Sequence, residues 1–278
     1  MNVLFLFRLW RQYAKMDLLW FLRDMRYCLM WVASELVATL TAISTTLLLC
    51  VRFGGIGGMS FDQMLFMCSY AMVSDGIIVA FFGGYNILHI SRIIGRGQLD
   101  HMLIQPVPIW MQLLTQGFSP VSGNGKVLLG IPLLCVAVSR LQLTVTPVWV
   151  LRLLSSLVCS STVILAFTYI ISCSAFFAPV AAEEISGKAL DLFGETKYFS
   201  LGGLPSAGIT ALCTVLPVGL AAWFPANVLL GQAPAGLPAI LLLIVAAVML
   251  IIANILFKKG IHFYEKNGSN RYSGFGAR

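Results

Sequence analysis

The chain has 278 residues, of which 59% are hydrophobic and 10% charged, with a net charge of +7. An ordinary soluble domain carries roughly 25% charged residues, so these charges are too few for a soluble surface and the class is integral membrane protein. The basic residues cluster in the gaps between apolar runs, which is a topology signal and excludes a nucleic-acid partner; the runs are continuous rather than alternating, which predicts an all-α bundle and excludes a barrel.

Residues 1–27 combine Arg8, Arg11, Lys15, Arg23 and Arg26 with Leu6, Leu9, Trp10, Tyr13, Phe21 and Leu22. At a helical step of roughly 100° the basic residues share one side and most large apolar ones lie opposite. This predicts an amphipathic helix in the plane of the cytosolic headgroups. Asp17 and Asp24 project to its apolar side and break the pattern. No short apolar core with a small-residue cleavage site follows, which argues against a signal peptide.

Span 1 is expected at 28–51 and span 2 at 63–90, joined by the turn Gly54-Gly55-Ile56-Gly57-Gly58. A polar, Gly- and Pro-bounded elbow follows, centred on 95–108. Gly95 and Gly97 permit a tight turn. Asp100 can lead a short helix from Leu99 to Gln105, and Pro106 and Pro108 end it. Span 3 is expected at 126–143, with Lys126 at the headgroups, and span 4 at 149–177. The charged stretch from Ala182 to Lys197 reads as a solvated cytosolic helix. Span 5 is expected at 198–220 and span 6 at 239–257. The uncharged Pro/Gly-rich stretch 221–238 between them predicts a short re-entrant or interfacial hairpin buried against protein. Residues 258–278 form a polar cytosolic tail.

Six spans put both termini on one side. That side then holds 15 of the 18 lysines and arginines, against Arg52, Arg140 and Arg152 on the other, so both termini and the elbow are expected in the cytosol. No internal repeat of the kind found in secondary transporters is evident.

The seven cysteines fall in or beside apolar runs without C-x-x-C spacing and read as core residues. Ser122-Gly123-Asn124-Gly125-Lys126-Val127 fails as a phosphate loop, because Pro120 and Val127 stand where a glycine and a hydroxyl are needed. His89, His101 and His262 lack ligand-like neighbours, and no metal site or catalytic pair emerges. Glu35 and Asp75 are acids inside apolar runs, where a partner or a role is the default expectation. Asp75 is expected to line a pathway or bond across a helix interface, and Glu35 to reach toward Arg23 or Arg26.

The segment Gly97-Gln98-Leu99-Asp100-His101-Met102-Leu103-Ile104-Gln105-Pro106 resembles the G-x-L-D-x-L-L-x-x-P segment of bacterial type-2 ABC exporter permeases. Within these it is most similar to the six-span branch of about 260 residues. Lys197-Tyr198-Phe199-Ser200, Leu216-Pro217, Trp223-Phe224-Pro225-Ala226 and Leu230-Gly231 follow that branch's order, although Phe199 stands where the branch often has proline.

The resemblance implies a non-catalytic permease of the bacterial cytoplasmic membrane. It would pair with a second permease, often a non-identical sibling, on a dimer of ATP-binding subunits. No cofactor is expected on this chain, with ATP and Mg on the partner ATPase. The elbow would be the coupling helix, with Arg96, Gly97, Leu99, Asp100, His101, Leu103, Gln105 and Pro106 at the ATPase. The pathway would run along spans 1, 2 and 5, where Glu35, Asp75, Phe81, Phe82 and Phe199, with Met72, suit an amphipathic or hydrophobic cargo. The competing class is a proton-coupled secondary transporter using Asp75 or Glu35.

Overall fold

The computed structural model describes residues 3–82, 90–95, 97–115, 117–122, 125–232 and 240–268. His89, Arg96, residues 233–238 of the expected hairpin, residue 239 at the start of expected span 6, and the tail after 268 lie outside the described residues. The architecture is all-α: among the described residues the only extended pairing is an isolated bridge between Ile56 and Met59.

Helix α1 (Val3–Arg23) and helix α2 (Met25–Phe53) follow one another, broken at Asp24, where φ −127° and ψ 48° leave the helical region. The outer face of α1 exposes Phe7, Met16, Leu19 and Leu22. Its Trp10 packs on Phe81 and Phe118. Asp17 is buried and accepts hydrogen bonds from the backbone N–H groups of Val121 (2.8 Å) and Ser122 (3.2 Å) and from the Ser122 hydroxyl. Its place on the apolar side therefore has a cause: it ties α1 to the chain entering the third expected span.

Helix α2 ends at Gly54, whose φ of 69° is left-handed and favours glycine. Helix α3 (Phe61–Phe82) is the centre of the bundle, buried without interruption from Met64 to Gly76. A helix that is apolar on every face finds its place inside, with other helices around it. Three short helices occupy the elbow: α4 (Ile90–Gly95), α5 (Gln98–Leu103) and α6 (Ile109–Thr115).

Helix α7 (Gly125–Arg140) has 16 residues and contains Pro132. It lies directly against α3 because two glycines permit the approach. A Cβ on Gly76 would collide with Val127, and one on Gly130 would lie 3.1 Å from Met72 Cβ. Helix α8 (Pro147–Ser172) starts at a Thr146 cap with Pro147 in its first turn and continues into a 3₁₀ turn at Cys173–Phe176.

Helix α9 (Pro179–Thr196) departs from expectation. In its first half Ser186 shares a 2.7 Å hydrogen bond with Ser91 in α4, beyond the C-terminus of α3. Further along, Phe193 stacks on Phe167 at 5.1 Å. The chain after it reaches the opposite end of α3, where Ser200 donates to the Gly57 carbonyl at 3.4 Å and a Cβ on Gly202 would strike that same oxygen. The charged stretch from Ala182 to Lys197 thus runs along the bundle rather than lying apart from it.

The expected span at 198–220 is not one helix. Residues 198–205 are non-helical, and helices α10 (Ser206–Thr214) and α11 (Val218–Ala221) cover the rest. Gly202, Gly203, Pro205 and Pro217 account for the breaks. Helix α12 (Trp223–Leu229) is buried with α11 against α8 and α3. The chain closes with α13 (Leu241–Asn267), which packs along α8.

Among the described residues four helices are long and apolar enough to cross a membrane: Met25–Phe53, Phe61–Phe82, Pro147–Phe176 and Leu241–Asn267. At 1.5 Å per residue α7 reaches about 24 Å, short of a hydrocarbon core of roughly 30 Å.

Candidate functional site

Four ionisable side chains from four parts of the chain meet inside the bundle. Lys197, at the C-terminal end of α9, donates to Asp75 of α3. Lys126, in the first turn of α7, lies 3.7 Å from the same carboxylate oxygen and 3.5 Å from Glu35 of α2. The cluster holds two acids and two bases, so it is formally neutral. Isolated charges in so apolar a setting cost several kcal/mol each, and a neutral group of mutual partners removes most of that cost. Glu35 keeps one buried oxygen, Oε2, without a hydrogen-bond partner.

Three expectations change here. Lys126 turns inward to the acids rather than out to the headgroups. Lys197 is buried, not at the end of a solvated cytosolic helix. Glu35 pairs with Lys126 rather than reaching Arg23 or Arg26. Hydroxyl contacts tie the same central helix, α3, to α8, and α8 to α11. Tyr70 and Ser160 share a 2.9 Å bond, Ser74 and Ser161 a 3.3 Å bond, and Ser160 donates to the Leu220 carbonyl at 3.2 Å.

The expected apolar lining does not assemble. Phe81 packs at the elbow end of α3 against Trp10 and Phe118. Phe82 lines a separate cavity of about 340 Å³ with Trp110, Tyr169, Asn254 and Phe257. Phe199 is exposed beyond Lys197, toward the Gly57 end, and Met72 is buried in the core. What sequence reasoning missed is a stripe on α9. Glu184, Lys188, Asp191 and Glu195 recur at helical spacing on one exposed face, and no ion pair joins them among the described residues. Ala182, Ser186 and Phe193 on the other face are buried.

In the elbow, α5 runs from Gln98 to Leu103. Its cap is Gly97, at a left-handed φ of 68°, without a side-chain cap bond. Asp100 does not cap the helix; its Oδ1 accepts a 2.8 Å hydrogen bond from the Tyr264 hydroxyl of α13. Leu99 is buried and Leu103 half-buried, so they hold the elbow to the bundle. His101, Gln105 and Pro106 are exposed. Ile104, absent from the expected contact set, is 81% exposed. Gln112 fastens the turn after it, donating to the carbonyls of Met102 (2.9 Å) and Val107 (2.6 Å).

This is a set of polar contacts that connects helices, together with a protruding tip. Among the described residues no group of His, Cys, Asp and Glu could hold a metal ion. No curated protein and no solved structure matches the chain. A family model described as ABC-2 family transporter protein matches residues 36–268, from the middle of α2 to the end of α13. That stretch holds α3, the elbow and every helix from α7 to α13, together with the part of α2 that follows Glu35. The protein is a multi-pass membrane transport component, and the chain belongs to the ABC-2 family of transporter proteins.

Proposed function

We propose that this chain is the permease subunit of an ATP-driven exporter. It forms a translocation pathway with a second permease, often a non-identical sibling, and is moved by separate ATP-binding subunits that carry ATP and Mg. The chain itself binds no cofactor and performs no catalysis in this reading. The observation that carries it is the charged face of α9. A charge near the bilayer centre costs about 2.5–3.5 kcal/mol by insertion measurements, so a face bearing Glu184, Lys188, Asp191 and Glu195 is unsuited to lipid. A hydrated space shared with a second permease accommodates it.

In this reading α2, α3, α7 with the chain to Thr146, α8, α9 with the chain to Gly203, and α13 make six crossings. The segments α10–α12 lie at the outer face and the elbow lies at the cytosolic one. The orientation survives the reassignment: removing Lys126, Lys188 and Lys197 from the cytosolic tally leaves twelve of the fifteen basic residues, still against three. The membrane is the bacterial cytoplasmic membrane, with both termini in the cytosol. The elbow tip, with His101, Ile104, Gln105 and Pro106 outward, is shaped to enter a groove on the ATPase. A pathway with a charged α9 and an apolar α2 suits an amphipathic cargo.

The proton-coupled alternative, with Asp75 or Glu35 as the carrier, fits less well. Asp75 is engaged by two lysines, and its release would leave both without their shared acid.

Affinity capture of the tagged chain from its own membranes, followed by mass spectrometry, tests the reading. An ATP-binding subunit and a second permease are the expected companions. Capture of the chain alone under conditions that keep it monodisperse would overturn it.

A further inference from the structure

We infer that Tyr264 is a positioning residue that locks the elbow to the cytosolic end of α13, so that the two move as one lever with the base of α9. The inference rests on the permease reading above. At 27 residues α13 spans about 40 Å, some 10 Å more than a hydrocarbon core. Lys258 and Lys259 mark where it leaves the apolar layer, and Tyr264 lies more than a turn beyond them.

A small hydrophobic core forms at this level, separate from the main one. It draws Ile94 from α4, Leu99 from α5, Leu113 from α6, Phe176 from the 3₁₀ turn, Ala182 from α9 and Tyr264 from α13. The Tyr264 ring meets Phe176 edge-on at 6.3 Å. Gly260, one turn earlier, leaves no room for a Cβ beside that same ring. The Tyr264 hydroxyl then donates to Asp100.

Apolar contacts alone let packed helices slide, because burial is non-directional. A hydrogen bond to a carboxylate fixes distance and angle, and such bonds are roughly twice as strong as neutral ones. The Tyr264–Asp100 bond is therefore the element that sets the register of α5 on α13. Force entering at the elbow tip passes through this block to Ala182 and up α9, whose far end carries Lys197.

Spin labels at Gln98→Cys on α5 and Glu265→Cys on α13, in a Cys135→Ser background, report the block directly. Both labelled positions are exposed. The distance is measured in the complex captured with its ATPase, with no nucleotide and after trapping with ADP and vanadate. The expected result is one distance, unshifted by trapping. Tyr264→Phe keeps the ring packing and loses only the bond. It is expected to add a second distance on trapping, displaced by about one helical turn, roughly 5 Å. Asp100→Asn is expected to do the same, and the double variant no more than either. A wild-type distance that shifts on trapping, or a Tyr264→Phe distance that does not, overturns the inference. Recovery of the ATPase with each variant keeps the permease reading standing whichever way the distances fall.

Discussion

Asp75 and Lys197 are 122 residues apart in sequence and meet as an ion pair inside the bundle, joining the central helix to the end of α9. The pair lies where the charged helix stops and the non-helical chain toward Gly57 begins. It also explains how a lysine sits at a position that is 7% exposed among apolar neighbours.

Removing Asp75 strands Lys197, whereas removing Lys197 leaves Asp75 with Lys126 as its remaining counter-charge. Asp75→Asn is expected to cost about 3–5 kcal/mol, the usual penalty for leaving a buried charge unpaired, and Lys197→Met less than that. The double variant Asp75→Leu/Lys197→Met should recover most of that loss. Thermal unfolding in detergent checks this. Full additivity of the two single losses would show that the side chains are not coupled.

Two glycines separate close packing from open space. Gly76→Ala places a methyl on Val127 and is expected to destabilise by about 1–3 kcal/mol, as overpacking does. Gly187→Ala meets nothing within 4 Å and should stabilise α9 by up to about 1 kcal/mol through helix propensity. The same unfolding assay reads both, and equal effects would contradict the α3–α7 contact.

The α9 stripe should be wet. Asp191→Cys and Glu195→Cys, in a Cys135→Ser background, are expected to react in intact membranes with a charged, membrane-impermeant methanethiosulfonate. Leu250→Cys, exposed on α13, is the lipid-facing reference and should not react. Modification of the reference at the same rate as the stripe would remove the case for a hydrated face.

The elbow tip should dock by its apolar knob. Ile104→Asp is expected to release the ATPase from the captured complex, because it puts a charge into a contact that excludes water. The chain should still fold, since Ile104 touches little of its own bundle. Thermal unfolding together with ATPase recovery separates the two effects, and an undiminished yield of ATPase would refute the docking surface.

The helices that could be read from composition are those whose surroundings are uniformly apolar. Runs at α2, α3, α8 and α13 exceed a bilayer's thickness, and a continuous apolar run needs no knowledge of its neighbours. Helix α9 could not be read that way. Its charges lie on one face and its lysine is neutralised by a residue far away in sequence, so its hydropathy is that of a solvated helix. The run at 198–220 was misleading for the converse reason. Part of its apolar character serves packing inside the protein, at Tyr198, Leu201 and α11, while its glycines and prolines keep it from spanning as one helix.

The site was legible in part. An acid in an apolar run demands a counter-charge, so Asp75 announced a partner without naming it. The basic residue just before the next apolar run, Lys197, was the available signal. Asp100 was legible as polar and helix-initiating in the elbow, but its bond to Tyr264 bridges 164 residues and has no local signature. Ile104 was obscured because a motif draws attention to its fixed positions, and Ile104 falls on a variable one.

ATP hydrolysis by the material captured through this chain decides whether a separate ATPase moves it. Vanadate-sensitive hydrolysis is expected to follow the tagged wild-type chain through purification and to be lost with Ile104→Asp. A purified chain with no accompanying ATPase, moving solute in liposomes on an imposed ion gradient alone, would contradict that expectation.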